Sequence, residues 1–136
     1  MITMKNFLLL IALIFGSYYS VIAQEIPKYP CLQCDAFYWK NGYDQEVEVE
    51  VRNLNLTDDD ITQDVFDELG IEIMVKAKYR LKNKLSFVPK RLTLMKMTDG
   101  RMVATVLMYG KNAYGAEGEI KAHYYFSADG KITDEL

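Results

Sequence analysis

The chain has few of the residues that build covalent or metal-bound frameworks. Its 136 residues include only two cysteines, one histidine, three prolines and one tryptophan. Two cysteines exclude a disulfide-dense scaffold, and a zinc site on them would need two further ligands that a single histidine hardly supplies. Charge of one sign is not in excess either, because the net charge is only −3. Mild acidity argues against nucleic acid as a partner.

The longest apolar run stands at the N-terminus, from Phe7 to Phe15, after a start whose only charge is Lys5. A basic start, a short apolar core and small residues before a break are typical of a secretory signal peptide. We therefore predict a signal peptide at 1–23, cleaved after Ala23. The run is well short of the roughly 20 residues that span a bilayer, so we expect no stable membrane span. The expected location is exported, periplasmic or secreted.

Removal of residues 1–23 leaves 113 residues with a net charge of −4, enough for one domain with a modest core. The chain ends Thr133-Asp134-Glu135-Leu136, which is similar to a signal for retention in the endoplasmic reticulum. Asn55 also begins a glycosylation sequon. The lumen of the endoplasmic reticulum is therefore the alternative location.

Two runs of strand-forming residues flank Asp99-Gly100, a strong signal for a tight β-hairpin. With these two residues as the loop, Met97 faces Met102. One predicted face of the hairpin then carries Leu92, Leu94, Lys96, Val103, Thr105, Leu107 and Tyr109. The other face carries Thr93, Met95, Met97, Met102, Ala104, Val106 and Met108. Because both faces are largely apolar, we expect the hairpin to be central and covered on two sides.

Between Thr57 and residue 82 the pattern supports two interpretations. A helix at about 58–69 is predicted, with Thr57 as N-cap and Gly70 at its end. Residues 71–82 alternate strictly between apolar and polar, which favours a strand. A continued helix is the alternative, because Ile73, Ala77 and Leu81 recur at steps of four.

These patterns predict a small α+β domain in which one helix packs on a mostly antiparallel sheet of about five to six strands. The predicted strands are 36–40, 43–52, 71–82, 90–98, 101–110 and 118–127. Residues 24–35 are expected to form an extended arm that carries the cysteine pair, and 36–136 a single α+β domain.

Cys31 and Cys34 form the first candidate site. In an exported protein, a lone cysteine pair most simply forms a disulfide. The Cys-x-x-Cys spacing also occurs in thiol–disulfide redox sites, and redox activity remains an alternative.

Three further features are candidate binding sites. Met95, Met97 and Met102 would cluster on the hairpin, where thioethers could bind Cu(I) or an apolar partner. Lys76, Lys78, Arg80 and Lys82 would form a cationic row on the strand at 71–82. Tyr114 lies in a glycine-rich loop of the kind that often binds ligands.

The sequence contains no motif for catalysis, and we expect no cofactor and no metal at a catalytic centre. The predicted function is a small exported binding or interaction module, with a protein, a small ligand or a second copy of the chain as partner. The alternative function is thiol–disulfide redox or Cu(I) handling through Cys31 and Cys34 or the methionine cluster.

Overall fold

A computed structural model describes residues 25–111 and 114–136. The signal peptide predicted at 1–23 lies outside these residues. Within them, no helix is both long enough and apolar enough to cross a membrane. The residues from Glu25 to Asp35 form no helix or strand.

The described residues contain one α-helix, one short 3₁₀ turn and six strands. The elements are β1 (Ala36–Lys40), β2 (Glu46–Asn53), α1 (Gln63–Tyr79), the 3₁₀ turn (Lys84–Ser86), β3 (Val88–Lys96), β4 (Met102–Lys111), β5 (Glu117–Phe126) and β6 (Ile132–Glu135). The predicted α+β class is confirmed.

The six strands lie in one sheet in chain order, β1-β2-β3-β4-β5-β6. All neighbours are antiparallel except β2 and β3, which are parallel. Parallel neighbours need a crossover connection, and α1 supplies it. The helix therefore returns the chain across one face of the sheet.

The core lies between α1 and that face. Phe66, Leu69, Ile73 and Met74 of the helix are fully buried, and they recur at the spacing of one helical stripe. Apolar side chains from β1 to β5 complete the core, among them Phe37, Val49, Leu92, Leu94, Ala104, Val106 and Tyr124. We call the opposite side of the sheet the open face; Glu50, Thr105 and His123 lie on it.

The strand predicted at 71–82 is wrong, and so are the limits of the helix predicted at 58–69. The helix begins after Thr62, whose hydroxyl accepts a hydrogen bond from the Val65 N–H, and it continues to Tyr79. Gly70 does not end it. A Cβ at Gly70 would lie 2.8 Å from the Pro30 Cβ, so the glycine allows close packing of the arm. Thr57 instead forms a turn in which its N–H donates to Asp60.

The predicted two-residue loop of the central hairpin is also wrong. Lys96, not Met97, is opposite Met102, and the Met97 N–H donates to the Arg101 carbonyl at 2.7 Å. Gly100 has a positive φ of 90°, as in a three-residue loop that combines a type I turn with a bulge. A shift of one residue moves one strand's side chains to the opposite face. Leu92 and Leu94 therefore share the buried face with Ala104 and Val106 rather than with Val103 and Thr105.

The N-terminal arm is attached to the domain through Leu32. The Leu32 side chain is buried. Its backbone N–H donates to the Gln63 side chain at 2.9 Å, and its backbone carbonyl accepts from the Asn53 amide at 3.1 Å. Nearer the N-terminus of the arm, the Pro27 carbonyl accepts a hydrogen bond from the Tyr38 N–H of β1 at 2.9 Å. These contacts place the start of the arm beside the edge of the sheet.

Candidate functional site

A groove of about 530 Å³ runs along the β1 edge of the sheet. We call it the edge groove. Its lining comes from the arm, from β1 and the start of β2, and from the second half of α1: Lys28, Tyr29, Tyr38, Trp39, Lys40, Glu46, Met74, Val75, Lys78 and Tyr79. This volume lies within the range of about 300–1,000 Å³ that is usual for small-ligand sites.

Four aromatic rings line the edge groove. Trp39 packs partly against the core, and its ring lies edge-on to Phe37 with centroids 6.3 Å apart. Tyr38 lies on the opposite side of β1 from Trp39. Because both line the groove, it extends around the edge of the sheet. Tyr29 of the arm and Tyr79 of the helix are 62% and 65% exposed. Such rings offer large apolar contact to a ligand at little entropic cost.

Two apolar side chains of α1, Met74 and Val75, line the edge groove. Met74 is fully buried at the groove, whereas Val75 is 42% exposed. Methionine adapts its shape to irregular neighbours because its side chain is unbranched. The groove thus combines apolar side chains of the helix with aromatic rings.

The edge groove carries more positive than negative charge. Lys28, Lys40 and Lys78 line it together with a single carboxylate, that of Glu46. None of these four side chains forms an ion pair or hydrogen bond with another part of the described chain. Lys40 and Glu46 are opposite in the strand register, yet they form no ion pair. The three ammonium groups are therefore available to a ligand.

The cationic row predicted at Lys76, Lys78, Arg80 and Lys82 does not form, because the segment is mostly helical and its side chains point in different directions. Lys76 donates to Glu135 of β6 at 2.8 Å, and Arg80 donates to the Leu136 carbonyl. Lys78 faces the other way and lines the edge groove, whereas Lys82 is exposed beyond the end of the helix. Residues at i and i+4 share a helix face but residues at i and i+2 do not. Only Lys78 of the four contributes to the groove.

The register of the hairpin differs from the predicted one and takes Met102 out of the predicted methionine cluster. Met102 is buried on the helix-covered face. Met95 pairs with Val103 on the open face, and Met97 lies in the turn of the hairpin. Met95 and Met102 therefore lie on opposite faces of the sheet, and Cu(I) handling stays a prediction.

The Cys31–Cys34 disulfide predicted from the sequence is present, with a Cα–Cα distance of 5.7 Å. It fits an oxidising compartment. The two half-cystines flank Leu32, which anchors the arm that lines the edge groove. Redox use of this pair stays a prediction. Tyr114 is 95% exposed and does not line the edge groove.

The open face carries a charge network that bears on stability. Glu50 accepts from Arg52 at 2.7 Å and from Arg91 at 3.0 Å. The Arg52 hydrogen bond, followed by that of Arg91, holds the pKa of Glu50 below its ordinary value of 4.5. A carboxyl group with a depressed pKa stabilises the fold above its unfolded pKa and loses that contribution as pH falls through the folded one.

We therefore expect Glu50→Gln to lower the free energy of unfolding at pH 7 but to have less effect at pH 3, below the ordinary pKa of 4.5, where the ion pairs contribute less to stability. Urea unfolding at the two pH values measures this. Glu48→Gln is the matched control, because Glu48 lies on the same strand and forms no ion pair within the described chain. An equal loss for Glu50→Gln at both pH values would contradict the expectation.

The aromatic side chains of the edge groove were not among the residues predicted from the sequence. Tyr29, Tyr38, Trp39 and Tyr79 come from three segments that only the tertiary structure brings together. A partial signal was present, since Phe37-Tyr38-Trp39 precedes an Asn-Gly pair on an edge strand. Because the sequence pattern predicts a strand at 71–82, it does not place Tyr79 beside the aromatic residues of β1.

In the part of the chain that the structure describes, no three His, Cys, Asp or Glu side chains lie close enough together to hold a metal ion. His123 lies on the open face, where its Nδ1 is 2.9 Å from the Thr105 hydroxyl. Comparison with protein families, curated proteins and solved structures finds no match to this chain. The functional proposal therefore depends on the groove itself.

Proposed function

We propose that the protein is a small exported module that binds a ligand in the edge groove. The observation that carries the proposal is the convergence of four aromatic rings and three unpaired ammonium groups around one groove of ligand size. Largely apolar clefts with a few polar groups are the usual form of small-ligand sites. The disulfide and the predicted signal peptide support export.

Trp39 provides a direct test, because it is the only tryptophan of the chain and it lines the groove. Its indole N–H gives a single signal in a ¹⁵N-correlated NMR spectrum. We expect 2-naphthalenemethanol, a neutral flat probe, to shift this signal saturably with one-site behaviour. The aromatic walls provide the contact surface for such a probe.

Tyr79→Gln should weaken this binding about three- to tenfold, as expected for the loss of one aromatic contact of about 0.5–1.5 kcal/mol. Tyr43→Gln is the matched control. Tyr43 is exposed to a similar degree, at 69%, and lies outside the edge groove. An unchanged Trp39 signal at saturating probe, or equal weakening by both variants, would refute a site in the edge groove.

A further inference from the structure

The charges of the edge groove decide between two classes of ligand that aromatic rings can bind. Several rings around one site are typical of cages for organic cations, which the ring faces attract. Here, however, three lysines line the same groove and only one glutamate opposes them. A bound cation would be repelled by the ammonium groups, and an anion would be attracted to them.

The lysines of the edge groove differ from several others in the protein. Lys76, Lys96 and Lys111 pair with carboxylates, and Lys84 and Lys90 lie over tyrosine rings. Lys28, Lys40 and Lys78 have neither kind of partner within the described residues. They line the groove from three separate segments, the arm, β1 and α1.

The size of the groove favours a small ligand over an extended chain. Its 530 Å³ matches small-molecule sites. A peptide could add to β1 as a strand, but the arm already occupies part of that edge through the bond from Tyr38 to Pro27. β1 is also only five residues long, so little edge remains for a peptide backbone.

We infer that the edge groove binds a small amphipathic anion, with a flat apolar body against the aromatic rings and one acidic group near the lysines. This inference rests on the proposed function and specifies the ligand class of the same site. The acidic group pairs with ammonium groups, and the apolar body replaces water along Tyr29, Trp39 and Tyr79.

Three matched probes test the inference with the Trp39 indole signal as readout: 2-naphthoate, 2-naphthalenemethanol and 2-naphthylmethylammonium. They share the ring system and differ in charge. We expect 2-naphthoate to bind about three- to tenfold more tightly than the neutral probe at low salt, as partly exposed ion pairs allow. The advantage should shrink at high salt, where the Debye length falls to about 3 Å at 1 M. Acetate at the same concentration should not shift the signal.

Lys78→Gln should reduce the binding of 2-naphthoate about threefold, a larger loss than the same variant causes for the neutral probe. Lys131→Gln is the matched control, since it makes the same change in net charge beside β6. A Cβ on the neighbouring Gly130 would lie 2.8 Å from Val65, at the start of α1. The helix from Val65 to Lys78 spans roughly 20 Å at 1.5 Å per residue, which is beyond the Debye length of about 10 Å at 0.1 M salt. The Lys131→Gln protein should bind both probes as the native protein does.

The outcomes separate the two proposals. If all three probes bind equally, or if the ammonium probe binds most tightly, the edge groove is a ligand site but the inferred anion preference is wrong. Equal effects of Lys78→Gln and Lys131→Gln on 2-naphthoate would also overturn the inference. If none of the three naphthalene probes shifts the Trp39 signal, the proposed function itself is wrong.

Discussion

We expect the replacement of Leu94 by aspartate to unfold the protein. Leu94 is fully buried in the core beneath α1, opposite Ala104 in the hairpin register. A carboxylate there would lose its hydration and find no partner among these apolar neighbours. We expect a loss of more than about 4 kcal/mol, a large part of the roughly 5–15 kcal/mol that stabilises a typical domain. Circular dichroism and urea unfolding measure it.

Met95→Asp is the matched control one residue further along the same strand. Met95 points to the open face and is only half-buried, so the new carboxylate can remain hydrated. We expect a loss of less than about 1 kcal/mol and an intact fold. A folded Leu94→Asp protein, or an unfolded Met95→Asp protein, would contradict the assignment of the helix to the Leu94 face.

Gly42→Ala should also destabilise the protein strongly. A Cβ at this position would lie 2.3 Å from the Leu85 carbonyl oxygen, and the Gly42 N–H already donates to the Phe87 carbonyl at 2.8 Å. The clash is with backbone atoms of the 3₁₀ turn, which cannot rotate away as a side chain can. We expect a loss of about 3 kcal/mol in the free energy of unfolding, measured in urea.

Gly118→Ala controls for the change of residue type. Gly118 lies in β5, and nothing stands within 4 Å of an added Cβ. Its replacement should not lower the free energy of unfolding and should raise it by up to about 1 kcal/mol, because no neighbour must move and the unfolded chain loses conformational freedom. If the two alanine variants were equally stable, the close approach of Leu85 to Gly42 would be wrong.

Local patterns in the sequence were reliable where only one interpretation fitted them. The valines and glutamates of β2 alternate without any helical spacing, and Val49 and Val51 are buried while Glu50 lies on the open face. Residues 71–82 alternate just as strictly, yet most of them are helical. Their apolar side chains also fit a period of four, and packing against the sheet selected the helix.

Register and the edge groove are properties that local patterns do not contain. Both faces of the central hairpin are apolar, so the hydrophobic pattern alone does not distinguish one register from the other. The positive φ of Gly100 and the bond from Met97 to Arg101 select the three-residue loop. Similarly, Tyr29, Trp39 and Tyr79 are far apart in the chain and meet only because α1 and the arm lie beside β1.

By itself, the amino-acid sequence determined the α+β class, most of the strands and the disulfide, because each depends on residues close together in the chain. Only the tertiary structure decided the length of α1, the register between β3 and β4 and the composition of the edge groove. These depend on which apolar surfaces bury each other, and several segments of this chain offer more than one such surface. The lysines and aromatic rings became a candidate site only when that choice placed them together.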